Sequence, residues 1–190
     1  METGVAEHRD ELVADLTGRI IEIGAGNGMN FRHYPSEITE LVAVEPERYL
    51  RRQAAAEAAR AAVEITVIEA TADRLPFPDA SFDGGVASLV LCSVPNQTRA
   101  LAELHRVVRP GGELRFYEHV RAADRRSARR QERADILWPH VAGGCHTARD
   151  TPAAIERAGF VIEKIRRFDF PTSRMPNPAR PHVLGRARRV

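Results

Sequence analysis

Gly24, Gly26 and Gly28 stand at alternate positions after the apolar run 20–23. Glycines so placed let a chain turn sharply and bring bare amides against a ligand where a Cβ would collide. A helix starting beyond them would add unpaired N–H groups and a positive dipole end at the same spot. Dinucleotide sites use Gly-x-Gly-x-x-Gly, whereas these three read Gly-x-Gly-x-Gly, a spacing that suits a nucleoside without a pyrophosphate. About twenty residues further on, the apolar run 41–44 ends in Glu45. A carboxylate there, on a strand lying beside the first, can accept hydrogen bonds from ribose hydroxyls. The competing readings are a ligand-free tight turn at the glycines and a simple helix cap at Glu45.

Those groups need a sheet to hold them. Residues 20–23, 41–44, 64–69, 86–91, 113–118, 161–167 and 182–187 read as strands, rich in β-branched and apolar residues. Helical patterns fall at 7–16, 30–34, 47–62, 97–108, 127–141 and 151–158. Pro46 cannot prolong the second strand and opens the helix after it. Strand and helix alternate, so the class is a doubly wound α/β fold with a mainly parallel sheet.

Composition narrows the function classes. The chain has 190 residues, 28 Lys+Arg against 26 Asp+Glu, and a formal charge of +2. That length suits a single domain over residues 1–190, and that charge implies no polyanionic partner. Two cysteines, Cys92 and Cys145, make no disulfide framework, so a reducing cytoplasm is expected. No apolar run reaches membrane-spanning length. Six arginines between Arg121 and Arg133 invite a nucleic-acid reading. They lack interleaved aromatics, and pairs such as Arg126 and Arg130 sit at the spacing of a solvated helical face. Nothing in the sequence addresses oligomeric state.

Four segments together resemble the class I S-adenosyl-L-methionine (SAM)-dependent methyltransferases. They are Glu-Ile-Gly-Ala-Gly-Asn-Gly (22–28), Glu45, Leu-Pro-Phe-Pro-Asp-Ala-Ser-Phe-Asp (75–83) and Arg-Val-Val-Arg-Pro-Gly-Gly (106–112). The resemblance implies seven strands in the order 3-2-1-4-5-7-6 with the last antiparallel, SAM as cofactor and S-adenosyl-L-homocysteine as product. Asn30-Phe31, Tyr34-Pro35, Leu-Val-Leu-Cys-Ser-Val (89–94), Glu118-His119-Val120, Gly144-Cys145 and Arg180-Pro181-His182 look like the methyltransferase-like-seven family of thiol S-methyltransferases. Animal members of that family carry an N-terminal hydrophobic anchor that has no counterpart here, so their membrane location is not expected to carry over.

Carried across residue by residue, the resemblance puts Gly24, Ala25 and Gly26 against the methionine part of the cofactor, with Asn30 nearby. Glu45 and Pro46 lie at the ribose. Thr71, Ala72 and Asp73 lie at the adenine. Many class I enzymes place Asp where Thr71 stands, which leaves Thr71 or Asp73 as its substitute. Ser88 and Leu89 face the methyl-donor end, unless Ser88 only packs strand on helix. His119, just past the fifth strand, is the candidate catalytic residue. Cys145 and His146 are expected around a small-molecule acceptor, and Trp138 either walls that pocket or packs in the core under the same loop. His140, Cys145 and His146 lack a fourth ligand and a paired motif, so no metal site is expected from them. A thiol acceptor comes first, a quinone or lipid acceptor of a C-methyltransferase second, because the 75–79 loop is shared with that group. A SAM-binding protein without catalysis is the non-enzymatic alternative.

Overall fold

The computed structural model describes residues 3–171 and 177–190. Seven strands form one sheet: β1 (Gly18–Ile23), β2 (Ile38–Val44), β3 (Ile65–Ile68), β4 (Phe82–Ser88), β5 (Val108–His119), β6 (Phe160–Asp169) and β7 (Pro181–Arg189). Their order is β3-β2-β1-β4-β5-β7-β6, as the resemblance implied. All neighbouring pairs are parallel except those of β7, which runs antiparallel to both β5 and β6. Around the sheet lie α1 (Thr3–Val13), α2 (Arg48–Ala58), α3 (Gln97–Val107), α4 (Arg125–Ala134), α5 (Trp138–Val141) and α6 (Thr151–Arg157).

The pleat sorts the core into two layers, because successive side chains of a strand point to opposite faces. Ile21, Ile23, Val42, Val44, Ala87 and Phe116 join Leu101 and Leu104 of α3 on one face. Ile20, Leu41, Ala43, Val86 and Tyr117 join Leu12 of α1 and Phe31 on the other. Glu22 shares the pleat of Ile20 and is carried into that second apolar layer, almost fully buried. Pairing of β5 with β7 sets His119 opposite His182 and Tyr117 opposite Leu184.

Four expected elements are corrected. The fourth strand spans Phe82–Ser88 rather than 86–91. Leu89 turns into the left-handed region (φ 55°), and the amides of Val90, Leu91 and Cys92 bond the Glu118 carboxylate at 3.0, 2.9 and 3.1 Å. A side chain thus takes the place of a sheet ladder, which an apolar run cannot announce. The expected helix 127–141 is two, α4 and α5. Asp135 closes α4, and its carboxylate accepts from the Thr147 amide and hydroxyl, both at 2.8 Å. The expected helix 30–34 is a single 3-10 turn, Phe31–His33, and the fifth strand starts earlier, at Val108.

Candidate active site

The carboxyl ends of β1, β2 and β4 surround a cavity of about 530 Å³. Its floor is backbone. At Gly24 (φ 60°) an added Cβ would lie 2.2 Å from Cγ2 of Val90, so only glycine fits. At Gly26 (φ 57°) an added Cβ would meet nothing within 4 Å, so open space lies over its backbone, whose amide is itself bonded. That amide donates to Oε2 of Glu45 at 2.8 Å, and Oε1 accepts from the Glu47 amide at 2.9 Å. Glu45 is therefore a brace between two loops. The cap of α2 is Glu47, whose carboxylate accepts from the amides of Tyr49 and Leu50, so the cap reading of Glu45 falls away.

Among the residues expected at the cofactor, Gly24, Gly26, Glu45, Pro46, Thr71, Ala72, Asp73 and Leu89 line this cavity. Ala25, Asn30 and Ser88 do not. Asn30 is turned inward, its amide donating to Glu22 at 2.6 Å while its carbonyl oxygen accepts from Arg9. Ser88 ends β4, and its hydroxyl is buried without a hydrogen-bond partner among the described residues. The space over Gly26, the accepting carboxylate of Glu45 and the loop held in a strained turn at Leu89 fit a nucleoside with ribose hydroxyls to donate.

Two buried carboxylates shape the site from behind. Glu22 accepts from the Tyr34 hydroxyl at 2.8 Å and from Asn30, and burial pushes its pKa up to about 7 despite those bonds. Glu118 is fully buried, and burial, helped by the neighbouring Cys92 sulfur, pushes its carboxyl well above the usual range, although three amides donate to it. Neither residue stood out in the sequence analysis. A lone acid inside the apolar run Ile-Ile-Glu-Ile, and another beside His119, were the available signals.

The residues expected at the acceptor meet others from distant segments. Nδ1 of His119 lies 3.6 Å from Sγ of Cys92 and 3.3 Å from Sγ of Cys145. Burial pulls the His119 pKa down, but the Cys92 sulfur and the Glu118 carboxylate outweigh it and hold it above the ordinary value. The bond to Cys145, with burial, pushes the Cys92 thiol up to about 12. The same bond draws the Cys145 thiol below its ordinary value. The His182 ring packs on that of His119, centroids 4.5 Å apart, and burial lowers its pKa to about 4. Of the residues expected at the acceptor, Cys145 is buried within this cluster and Trp138 is half-buried on α5. His146 instead turns toward Asp135, 3.5 Å away, while its amide donates to the Cys92 carbonyl at 2.8 Å. Ser93 and Gly143, chain neighbours of this cluster, line the cofactor cavity. The cavity and the His119 cluster therefore adjoin.

This sheet order, with a glycine-floored nucleoside cavity at its carboxyl ends, defines an α/β enzyme that takes a methyl group from SAM and gives it to a small molecule. Residues 21–116 match the family described as a methyltransferase domain. The chain belongs to that methyltransferase family, alongside the thiol S-methyltransferases TMT1A and TMT1B. It is 34% identical to TMT1B of Mus musculus over 185 residues, covering 92% of this chain and 74% of that one. It is 35% identical to TMT1A of Homo sapiens over 173 residues, covering 88% and 69%. A crystal structure from Bacillus halodurans C-125 shares the fold at a TM-score of 0.79 and 15% identity, covering 98% of this chain and 99% of that one. No helix among the described residues is long and apolar enough to cross a membrane.

Proposed function

We propose that this enzyme methylates the sulfur of a small thiol. The observation that carries the reading is His119, whose Nδ1 lies against the Cys92 and Cys145 sulfurs, chain neighbours of the Ser93 and Gly143 that line the cavity, with its pKa held above the ordinary value. A free alkyl thiol titrates near ~8.5, so most of it is protonated at neutral pH and must lose its proton to react. A half-buried histidine beside a buried carboxylate favours that loss. Thiolate sulfur is an intrinsically good nucleophile, so the rest of the task is alignment and exclusion of water. SAM, when bound, supplies a methyl group already activated by its sulfonium charge.

The chain's own parts divide that work. Gly24, Gly26, Glu45 and the 71–73 segment hold the donor. Leu89 and Val90, with the Gly143 loop, wall the space between donor and acceptor. Cys145 and the neighbouring Trp138 border the acceptor, and His119 promotes loss of its proton. Similarity over most of the chain to enzymes named thiol S-methyltransferases supports the reading.

We further take residues 1–190 as one catalytic domain of the cytoplasm, in keeping with its two free, buried cysteines. The exposed arginines of α4 are a solvated face rather than a nucleic-acid surface: Ala128 and Gln131 are the buried side of that helix. Purified protein incubated with labelled SAM and a panel of thiols, phenols, amines and quinones tests the acceptor. Label in a thioether is the expected result. Transfer to a quinone or amine and to no thiol would remove the assignment, and binding of SAM with no transfer at all would favour a non-catalytic protein.

A further inference from the structure

Cys92, His119 and Cys145 come from three separate segments, yet one donor atom from each lies within 4.8 Å of the others. The histidine nitrogen is 3.6 Å from one sulfur and 3.3 Å from the other. A cation bound at about 2.3 Å to sulfur and about 2.0–2.1 Å to nitrogen with tetrahedral angles sets such atoms about 3.5 Å apart. We propose that these three side chains form a binding site for a thiophilic divalent cation of the zinc class, with its fourth position open to the acceptor sulfur. The proposal rests on the thiol reading for its acceptor and gives the means by which His119 promotes ionisation.

The donor set selects the ion. Two sulfurs and an imidazole suit zinc and its soft neighbours and exclude calcium and magnesium, which need oxygen. Among the described residues no fourth His, Cys, Asp or Glu atom stands with these three. A structural zinc site is closed by four protein ligands, whereas three leave a position for water or substrate. His140 and His146, the histidines nearest Cys145 in sequence, are outside the group.

The scaffold holds the ligands before any ion arrives. Glu118 fixes the Cys92 segment through its three amide bonds, one of them to Cys92 itself. The His146 amide, bonded to the Cys92 carbonyl, pins the Cys145 loop against the same segment. His119 follows Glu118 directly at the end of β5. Both cysteines are buried, with 1% and 5% exposure, so their thiolates gain little from water and much from a cation.

At the open position the acceptor's S–H bond breaks and its proton passes to solvent as the sulfur–metal bond forms. The sulfur lone pair then forms the new S–CH₃ bond. The sulfonium C–S bond breaks with its electron pair left on S-adenosyl-L-homocysteine. The cation keeps its oxidation state, and the neutral thioether, a poorer ligand than a thiolate, departs.

The test is metal titration of the whole chain, reduced and stripped with a chelator, using Co²⁺ and then Zn²⁺ in competition. Expected are one cobalt per chain, a thiolate-to-cobalt charge-transfer band, and displacement of the band by zinc. Cys92→Ser, His119→Ala and Cys145→Ser should each weaken cobalt binding at least 10-fold, and His140→Ala should not. Adding a small alkyl thiol should shift the visible cobalt bands of the unsubstituted chain. SAM affinity, measured calorimetrically on the same samples, reports folding and the donor site separately, and Cys145→Ala is a milder variant if Cys145→Ser loses it. A chain that binds SAM but gives no charge-transfer band, or one whose band survives in the Cys92→Ser/Cys145→Ser pair, overturns the metal site and leaves the methyltransferase reading intact. Loss of SAM binding by the unsubstituted chain would instead count against that reading.

Discussion

The donor end and the acceptor end of the site are built on different principles. At the donor end the work falls to main-chain amides and one carboxylate, on elements close together in sequence: β1, its glycine turn and the end of β2. At the proposed acceptor end it falls to side chains from residues 92, 119 and 145, which only the folded sheet brings together. Backbone sites tolerate few residue types at a few fixed spacings, so they leave a pattern in the chain. Side-chain convergence leaves none. A donor shared across a whole enzyme class suits the first kind of site, and an acceptor particular to one branch suits the second.

If the donor end is a backbone device, its largest sensitivity is to atoms that are absent. Gly24→Ala adds a Cβ 2.2 Å from Val90 in a left-handed turn, so it incurs both overpacking and backbone strain. We expect about 2–5 kcal/mol lost from stability, with SAM binding lost in calorimetry. Gly26→Ala meets only open space and should cost about 1–2 kcal/mol of stability from strain alone. Equal effects at the two positions would break the contrast.

Behind the donor loop, Glu22 makes stability depend on pH. Its folded pKa of about 7 lies above the ordinary value of 4.5, so the folded chain holds this proton more tightly than the unfolded one. Its contribution is therefore fully present below about pH 4.5 and lost as pH rises through about 7. Urea unfolding should show about 3 kcal/mol less stability at pH 8 than at pH 4.5 from this group, the linkage of a shift of that size. Glu22→Gln should flatten that segment of the profile. A profile unchanged by the substitution would assign the pH dependence elsewhere.

The same division explains what the sequence disclosed. The positions of Gly24, Gly26 and Glu45 were legible because turn geometry and strand-end acids are local in the chain, whereas the strand order and the 71–73 segment came from the family resemblance. The stop of β4 at Ser88 was not, since Leu-Val-Leu-Cys looks like more strand and the partner of its amides, Glu118, lies 26 to 28 residues away. The break between α4 and α5 was hidden similarly by Asp135 and Thr147. His119 and Cys145 were singled out separately, and Cys92 entered only as one of two cysteines that make no disulfide framework. Their meeting depends on the β4–β5 pairing and on a loop that returns from α5.

His119→Ala probes the acceptor end without touching the donor. Turnover with a thiol should fall on the order of 100-fold, about 2.7 kcal/mol, while SAM affinity stays within about twofold. Single-turnover kinetics beside calorimetry separates the two quantities. Parallel loss of both would make His119 a structural residue shared by the two ends.

Glu45 sharpens the comparison from the other side. Glu45→Ala removes the acceptor proposed for the ribose, and a charge-assisted hydrogen bond of that kind contributes about 1–3 kcal/mol. It also frees the Gly26 and Glu47 amides, so part of the loss would come from a loosened loop rather than a missing contact. Glu45→Gln distinguishes these, because its carboxamide can still accept one of the two amides but brings a donor where the other amide points. If the ribose contact dominates, Gln should lose nearly as much SAM affinity as Ala, with turnover at saturating SAM almost unchanged. If bracing dominates, Gln should recover about half the loss, and turnover should fall with Ala because Val90, packed on Gly24, would no longer hold the wall between the two ends.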